Sequence, residues 1–320
     1  MVVKYNAIIA MEDLNYGFKR GRFKVERQVY QKFETMLISK LNYLADKSQA
    51  VDEPGGILRG YQMTYVPDNI KNVGRQCGII FYVPAAYTSK IDPTTGFIDA
   101  FKRDVVSTND AKENFLMKFD SIQYDIEKGL FKFSFDYKNF ATHKLTLAKT
   151  KWDVYTNGTR IQNMKVEGHW LSMEVELTTK MKELLDDSHI PYEEGQNILD
   201  ALRKMKDITS VVNGILEIFW LTVQLRNSRT DNPDYDRIIS PVVNHKGEFF
   251  DSDQYKAYAD AQKAPLPSDA DANGAFCIAL KGMYTANQIK ENWVEGEKLP
   301  ADCLKIEHAS WLAFMQGERE

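Results

Sequence analysis

Residues 5–11, Tyr-Asn-Ala-Ile-Ile-Ala-Met, make a short, nearly continuous apolar run that stops at Glu12. A run of this length reads as a β-strand buried on both faces. Such strands belong to parallel sheets covered by helices, so the run points to an α/β fold. It also sets a carboxylate at the C-terminal end of a strand, where α/β sheets commonly carry their sites. The next stretch agrees. After a basic turn, Val25, Val29, Phe33, Met36, Leu37, Leu41 and Leu44 recur at helical spacing. A second apolar strand is predicted at residues 77–83, stopped by Pro84.

From about residue 87 the texture changes. Turn signals such as Asp92-Pro93-Thr94-Thr95-Gly96 and alternating strands such as 130–137 take over. Helices are predicted at 178–185 and, strongly apolar, at 208–225. The stretch up to about residue 267 reads as an insertion with its own core. The chain then returns to the first domain at Asp269, with a helix over residues 275–291 and a closing segment that includes Trp311-Leu312-Ala313-Phe314. Trp152 and Trp170 read as core residues, with base stacking as the alternative.

A formal net charge of −4 gives no overall basic character, so any nucleic-acid contact has to come from a local patch. The clearest is Lys19, Arg20, Arg22, Lys24 and Arg27, interleaved with Phe18 and Phe23 and beginning seven residues after Glu12. Its ordinary alternative is a solvated face. The three cysteines form no CxxC pair, which removes the common structural zinc frameworks and a disulfide scaffold. With no signal peptide and no bilayer-length apolar run, the expectation is a cytoplasmic chain with no membrane partner.

The run Asp269-Ala270-Asp271-Ala272-Asn273-Gly274-Ala275 packs two carboxylates and an amide into one turn-prone segment. It fits the first half of a calcium-binding EF-hand loop. That reading fails, because the position of the bidentate Glu, six residues after Gly274, is Leu280. Metal-assisted phosphodiester hydrolysis is the alternative: carboxylates from separate elements hold Mg²⁺, which activates the attacking water and stabilises the departing oxygen. Glu12 and Asp271 suit that chemistry. Glu12 is otherwise a solvated carboxylate, and Asp271 a helix N-cap. Asp13 and Asp269 read as structural. Arg226-Asn227-Ser228, at the end of the apolar helix, is either a C-cap whose cation offsets the helix dipole or a phosphate contact. Spacing alone does not choose.

Several motifs carry a family resemblance. Glu12-Asp13-Leu14-Asn15-Tyr16-Gly17-Phe18-Lys19 and Gln28-Val29-Tyr30-Gln31-Lys32-Phe33-Glu34 closely resemble the second RuvC segment of type V-A CRISPR-associated effector nucleases. The stretch from Tyr82 to Pro93 resembles the junction into that family's Nuc domain. Arg226-Asn227-Ser228 with Asp234-Tyr235 resembles the Nuc signature, and residues 269–275 its third RuvC segment.

The resemblance implies an α/β RNase H-like (RuvC) domain, incomplete at its N-terminus and interrupted by an α+β Nuc domain. The segments are RuvC II at 1–84, Nuc at 85–267 and RuvC III at 268–320. It further implies a DNA endonuclease of the bacterial or archaeal cytoplasm, working with a CRISPR guide RNA on target DNA beside a T-rich motif. One RuvC site cuts both strands and, once activated, bystander single-stranded DNA. Glu12 and Asp271 match the second and third catalytic carboxylates that hold Mg²⁺, with Mn²⁺ as a substitute. Arg226 matches the catalytic Nuc arginine and Asp234 an accessory acid. Lys19, Arg20, Arg22 and Arg226 are the expected DNA contacts.

The family's first catalytic Asp sits in an Asp-x-Gly context, and no Asp-x-Gly occurs among the 320 residues. The expectation is therefore the C-terminal portion of a larger effector, partnered by the missing N-terminal portion of the same protein and inactive in isolation. The competing expectation is a non-catalytic nucleic-acid-binding or assembly module that acts only when docked to a partner polypeptide.

Overall fold

The computed structural model describes residues 9–13, 80–101, 117–140, 147–205, 209–232, 234–260, 263–292 and 306–317, with isolated positions 29, 32–33, 36–37, 40, 48, 50, 114, 294 and 297. The chain divides into two compact units, Met1–Thr88 with Ala275–Glu307, and Ser89–Gly274 with His308–Glu320. In chain order the strands are β1 (Ile9–Asp13), β2 (Ile80–Pro84), β3 (Ser121–Asp125), β4 (Leu130–Asp136), β5 (Lys151–Tyr155), β6 (Thr159–Val166) and β7 (His169–Glu176). Helices α1 (Leu177–Asp187), α2 (Ile198–Leu202) and α3 (Thr209–Thr222) follow, then β8 (Arg226–Ser228), β9 (Asp236–Val243) and β10 (Phe249–Asp251). Helices α4 (Ala270–Asn292) and α5 (His308–Gln316) close the chain.

In the first unit β1 and β2 pair in parallel, with Ile9 opposite Ile80 and Glu12 opposite Val83. Parallel partners need a long crossover. Positions 29, 32, 33, 36, 37 and 40 within that crossover are helical. Val29, Phe33 and Met36, expected to face a core, are exposed. Helix α4 lies close against β1. A Cβ on Gly282 would sit 2.5 Å from the Ala10 Cβ, so only glycine permits the approach. That contact fixes the strand whose end carries Glu12.

The second unit is built from antiparallel pieces: the sheet β3-β4-β5, the hairpin β6-β7 and the sheet β10-β9-β8. The alternation at residues 130–137 becomes β4, which buries Phe131, Phe133 and Phe135 on one face. Helix α3 is apolar nearly all round, and its Phe219 ring stands 4.9–5.4 Å from those of Phe119, Phe133, Phe135 and Phe140. This aromatic cluster is the unit's core.

Three sequence expectations need correction. Trp152 is core, but Trp170 is 59% exposed, because the hairpin that carries it is only two strands wide. Helix α3 stops at Thr222 rather than 225, where Gln224 N already bonds back three residues to Leu221 O. Helix α4 begins at Ala270 rather than 275, because Asp269 Oδ1 accepts the Ala272 N–H at 2.7 Å and caps it. The closing segment is a helix, α5, within the second unit. It approaches Gly96 (φ +70°) so nearly that a Cβ there would lie 2.4 Å from Met315 O. No described helix is long and apolar enough to cross a membrane.

Candidate active site

The end of α3 sets the position of Arg226. A helix leaves its last carbonyls without internal partners, and here a buried cation collects them. Arg160 of β6, fully buried, donates from Nε to Gln224 O at 3.1 Å, from Nη2 to Thr222 O at 3.4 Å and from Nη1 to Asn157 O at 2.6 Å. Burial pushes its pKa down to about 9, with Arg237 nearby adding to the effect, so the guanidinium stays charged near neutrality. The cation at the helix C-terminus is thus Arg160. The C-cap alternative for Arg226 is set aside, because Arg226 opens strand β8 instead.

Antiparallel pairing places Arg226 opposite Ile238, Asn227 opposite Arg237 and Ser228 opposite Asp236. Asn227 points inward and is fully buried, its Oδ1 accepting from Ile161 N at 3.0 Å and Gln224 Nε2 at 3.1 Å. Strand alternation sends Arg226 the other way. Its Nε and Nη2 grip Asp236 Oδ1 and Oδ2 at 2.9 and 3.1 Å, a bidentate, charge-assisted pair. Nη2 also donates to Asp271 Oδ1 at 3.0 Å. The two carboxylates differ in setting: the Asp236 side chain is 15% exposed and that of Asp271 85%. Asp236 anchors the arginine. The Asp271 contact is solvent-screened and worth at most about 1 kcal/mol.

Asp271 lies in the first turn of α4, where an anion complements the helix dipole. Asp269 already fills the N-cap position through the Ala272 N–H, so the N-cap alternative for Asp271 falls away. Sequence reading paired Arg226 with the neighbourhood of Asp234. Asp234 is exposed, and its backbone N–H donates to Asn232 Oδ1. The partner, Asp236, went unnoticed.

Glu12 belongs to the first unit, half-buried at the end of β1. Burial raises its pKa above the usual carboxylate range, and the nearby charge of Lys281 only partly offsets this. Lys281 of α4 is 1% exposed and donates from Nζ to the carbonyls of Pro84 and Ala86, tying the helix to the end of β2. Burial lowers its pKa to about 8 against the favourable influence of Cys277 and Glu12. The two shifts agree in sense: each group is poorly hydrated, and each eases the cost of the other's charge. Lys281 was also missed, since a lysine within a helix reads as surface.

Lys19, Arg20, Arg22, Lys24 and Arg27 lie outside the described residues. Among the described residues no three His, Cys, Asp or Glu side chains gather into a metal-holding group. Glu12 and Asp271 are hard oxygen donors, and Asp271 is open to solvent, which fits Mg²⁺ or Mn²⁺.

The Glu12 carboxylate stands near the end of a parallel strand, where α/β proteins commonly carry their chemistry. A family model described as RuvC nuclease domain matches residues 1–320, and the chain belongs to that family. The match is compatible with an RNase H-like α/β fold. It implies a nuclease, a hydrolase that cleaves nucleic acid, and RuvC nucleases generally use divalent metals.

Proposed function

We propose that the chain is the C-terminal catalytic portion of a type V-A CRISPR RNA-guided DNA endonuclease, comprising RuvC II, a Nuc domain and RuvC III. The observation that carries this reading is the hydrogen-bonded ion pair between Arg226 and Asp271. They lie 45 positions apart, and the resemblance names them separately as the Nuc arginine and the third carboxylate.

In this proposal Glu12 and Asp271 hold Mg²⁺. When bound, the ion supplies Lewis-acid stabilisation of the phosphodiester and a more acidic water. Glu12 is prepared for a cation, because its poorly hydrated carboxylate gains from any positive charge beside it, as Lys281 shows in part. Asp236 fixes the Arg226 fork through Nε and Nη2, while Nη1 takes no part in those bonds and is left to meet a phosphate oxygen of the DNA. The basic residues Lys19, Arg20 and Arg22 contact the nucleic-acid backbone. Guide RNA pairing selects the target, both strands are cut in turn, and bystander single-stranded DNA is cut after activation. Two of the three expected carboxylates are present in the chain, so the reading expects robust cutting only from the full-length effector.

The test is guided cleavage by full-length effector carrying Glu12→Ala or Asp271→Ala. Both strands stay intact while guided DNA binding is unchanged. Normal cutting by either variant removes that residue from the site, and an uncut target with the unaltered sequence favours the assembly-module reading.

A further inference from the structure

A cleft of about 470 Å³ opens beside Arg226 in the second unit, within the size range of small-ligand pockets. Lys90, Gln162, Glu217, Trp220, Gln224 and Arg226 are among its lining residues. Trp220 is half-buried at the edge of the aromatic core, packed on Phe219 at 5.0 Å and Phe140 at 5.7 Å, and its indole N–H donates to no described residue. Gln162 Nε2 and Lys180 Nζ both donate to Glu217 Oε1, at 2.8 and 2.9 Å, leaving Oε2 outside that network. Burial opposes ionisation of Glu217, yet the hydrogen bonds from Lys180 and Gln162 hold its pKa below the usual range, so it stays a carboxylate acceptor. The cleft therefore offers a guanidinium for a phosphate, an aromatic ring for a base and a fixed acceptor for an exocyclic amino group. It has room for one nucleotide and not for a duplex.

We propose that this cleft is a subsite for one unstacked nucleotide of single-stranded DNA, with its phosphate at Arg226 and an amino-bearing base (adenine, cytosine or guanine, rather than thymine) against Trp220 and Glu217. The inference rests on the reading of Arg226 as a DNA-contacting residue. Base–aromatic stacking supplies affinity without strict sequence choice. Glu217 adds a preference, because a carboxylate accepts from the cytosine or adenine amino group and finds no such donor on thymine.

The test uses the 320-residue chain and short single-stranded oligonucleotides. Photocrosslinking of an oligonucleotide carrying 5-iodocytosine, which keeps the amino group, mapped by mass spectrometry, places the base at Trp220. Oligo(dA) and oligo(dC) bind several-fold tighter than oligo(dT), and Glu217→Gln narrows that gap. An abasic residue costs roughly ten-fold in affinity, the size of one base stack. Trp220→Phe keeps the ring in the core and lowers crosslinking without unfolding the chain. Crosslinks outside the cleft with equal binding of the abasic strand overturn the subsite, while an accompanying loss of binding in Arg226→Ala leaves the nuclease reading standing. Binding unaffected by Arg226→Ala overturns the subsite and that role of Arg226 together.

Discussion

Arg226 and Glu12 bear opposite charges in contrasting surroundings. Arg226 is held from outside: a bidentate carboxylate at Asp236 fixes it, strand register aims it, and an exposed carboxylate at Asp271 meets it in solvent. Glu12 is held from within: burial raises its pKa, and its electrostatic neighbour Lys281 is itself buried and lowered to about 8. The first neighbourhood gives geometry, and the second favours a nearby cation through poor hydration. Substitutions should therefore disturb direction and contact in one region, and charge balance in the other.

The largest expected effect lies at Arg226. Arg226→Ala in the proposed effector should lower strand cleavage by roughly 10²–10³-fold, the usual size for removing one donor aimed at developing charge. Arg226→Lys should not restore it, since an ammonium cannot keep the two-point grip on Asp236. A lysine variant as active as the parent would show that charge alone matters there.

Next comes Arg160, which acts on the same strand through the fold. Arg160→Leu leaves the carbonyls of Asn157, Thr222 and Gln224 without their donor. A loss of about 2–4 kcal/mol in urea unfolding is expected. An unchanged midpoint would break the link between the end of α3 and Arg226.

A smaller effect separates two neighbouring acids. Asp236→Ala frees the arginine fork and should slow cleavage about ten-fold, the equivalent of roughly 1.4 kcal/mol. Asp234→Ala should stay within about two-fold, as expected of an exposed surface group. The reverse order would restore the sequence-based assignment of Asp234.

The smallest effect belongs to Lys281. Its folded pKa, about 8, lies below the ordinary 10.5, so the folded chain loses this proton first as pH rises. Its desolvation cost is present in full below about pH 8 and is relieved between 8 and 10.5, so this group makes stability rise with pH across that window. Lys281→Met should remove the dependence, read as unfolding midpoints at about pH 7 and about pH 10. A parent chain with the same pH response as the variant would argue that Lys281 is well hydrated.

What was legible in the sequence followed local pattern. Residues 9–11 of the apolar run before Glu12 lie in β1, the rest of the run being outside the described residues, and Asp269 ahead of a helix-forming stretch became its cap. The alternating Phe131, Phe133 and Phe135 gave β4 directly. The features that were missed depend on register or on arrivals from distant segments. Asp236 meets Arg226 only because a three-residue strand pairs with β9 in one register. Arg160 matters only because the end of α3 arrives at its guanidinium. Lys281 resembles any surface lysine until α4 buries it against the end of β2. Trp170 inverted an expectation because composition cannot tell a two-stranded hairpin from a covered sheet.

The proposed function stands or falls on Glu12 and Asp271 as metal-binding carboxylates. Calorimetric titration of Mn²⁺ into the proposed effector, loaded with its proposed guide RNA, tests it most directly, comparing the parent with Glu12→Gln and Asp271→Asn. Saturable uptake by the parent and its loss in both variants are expected. Undiminished Mn²⁺ affinity in either variant would contradict it.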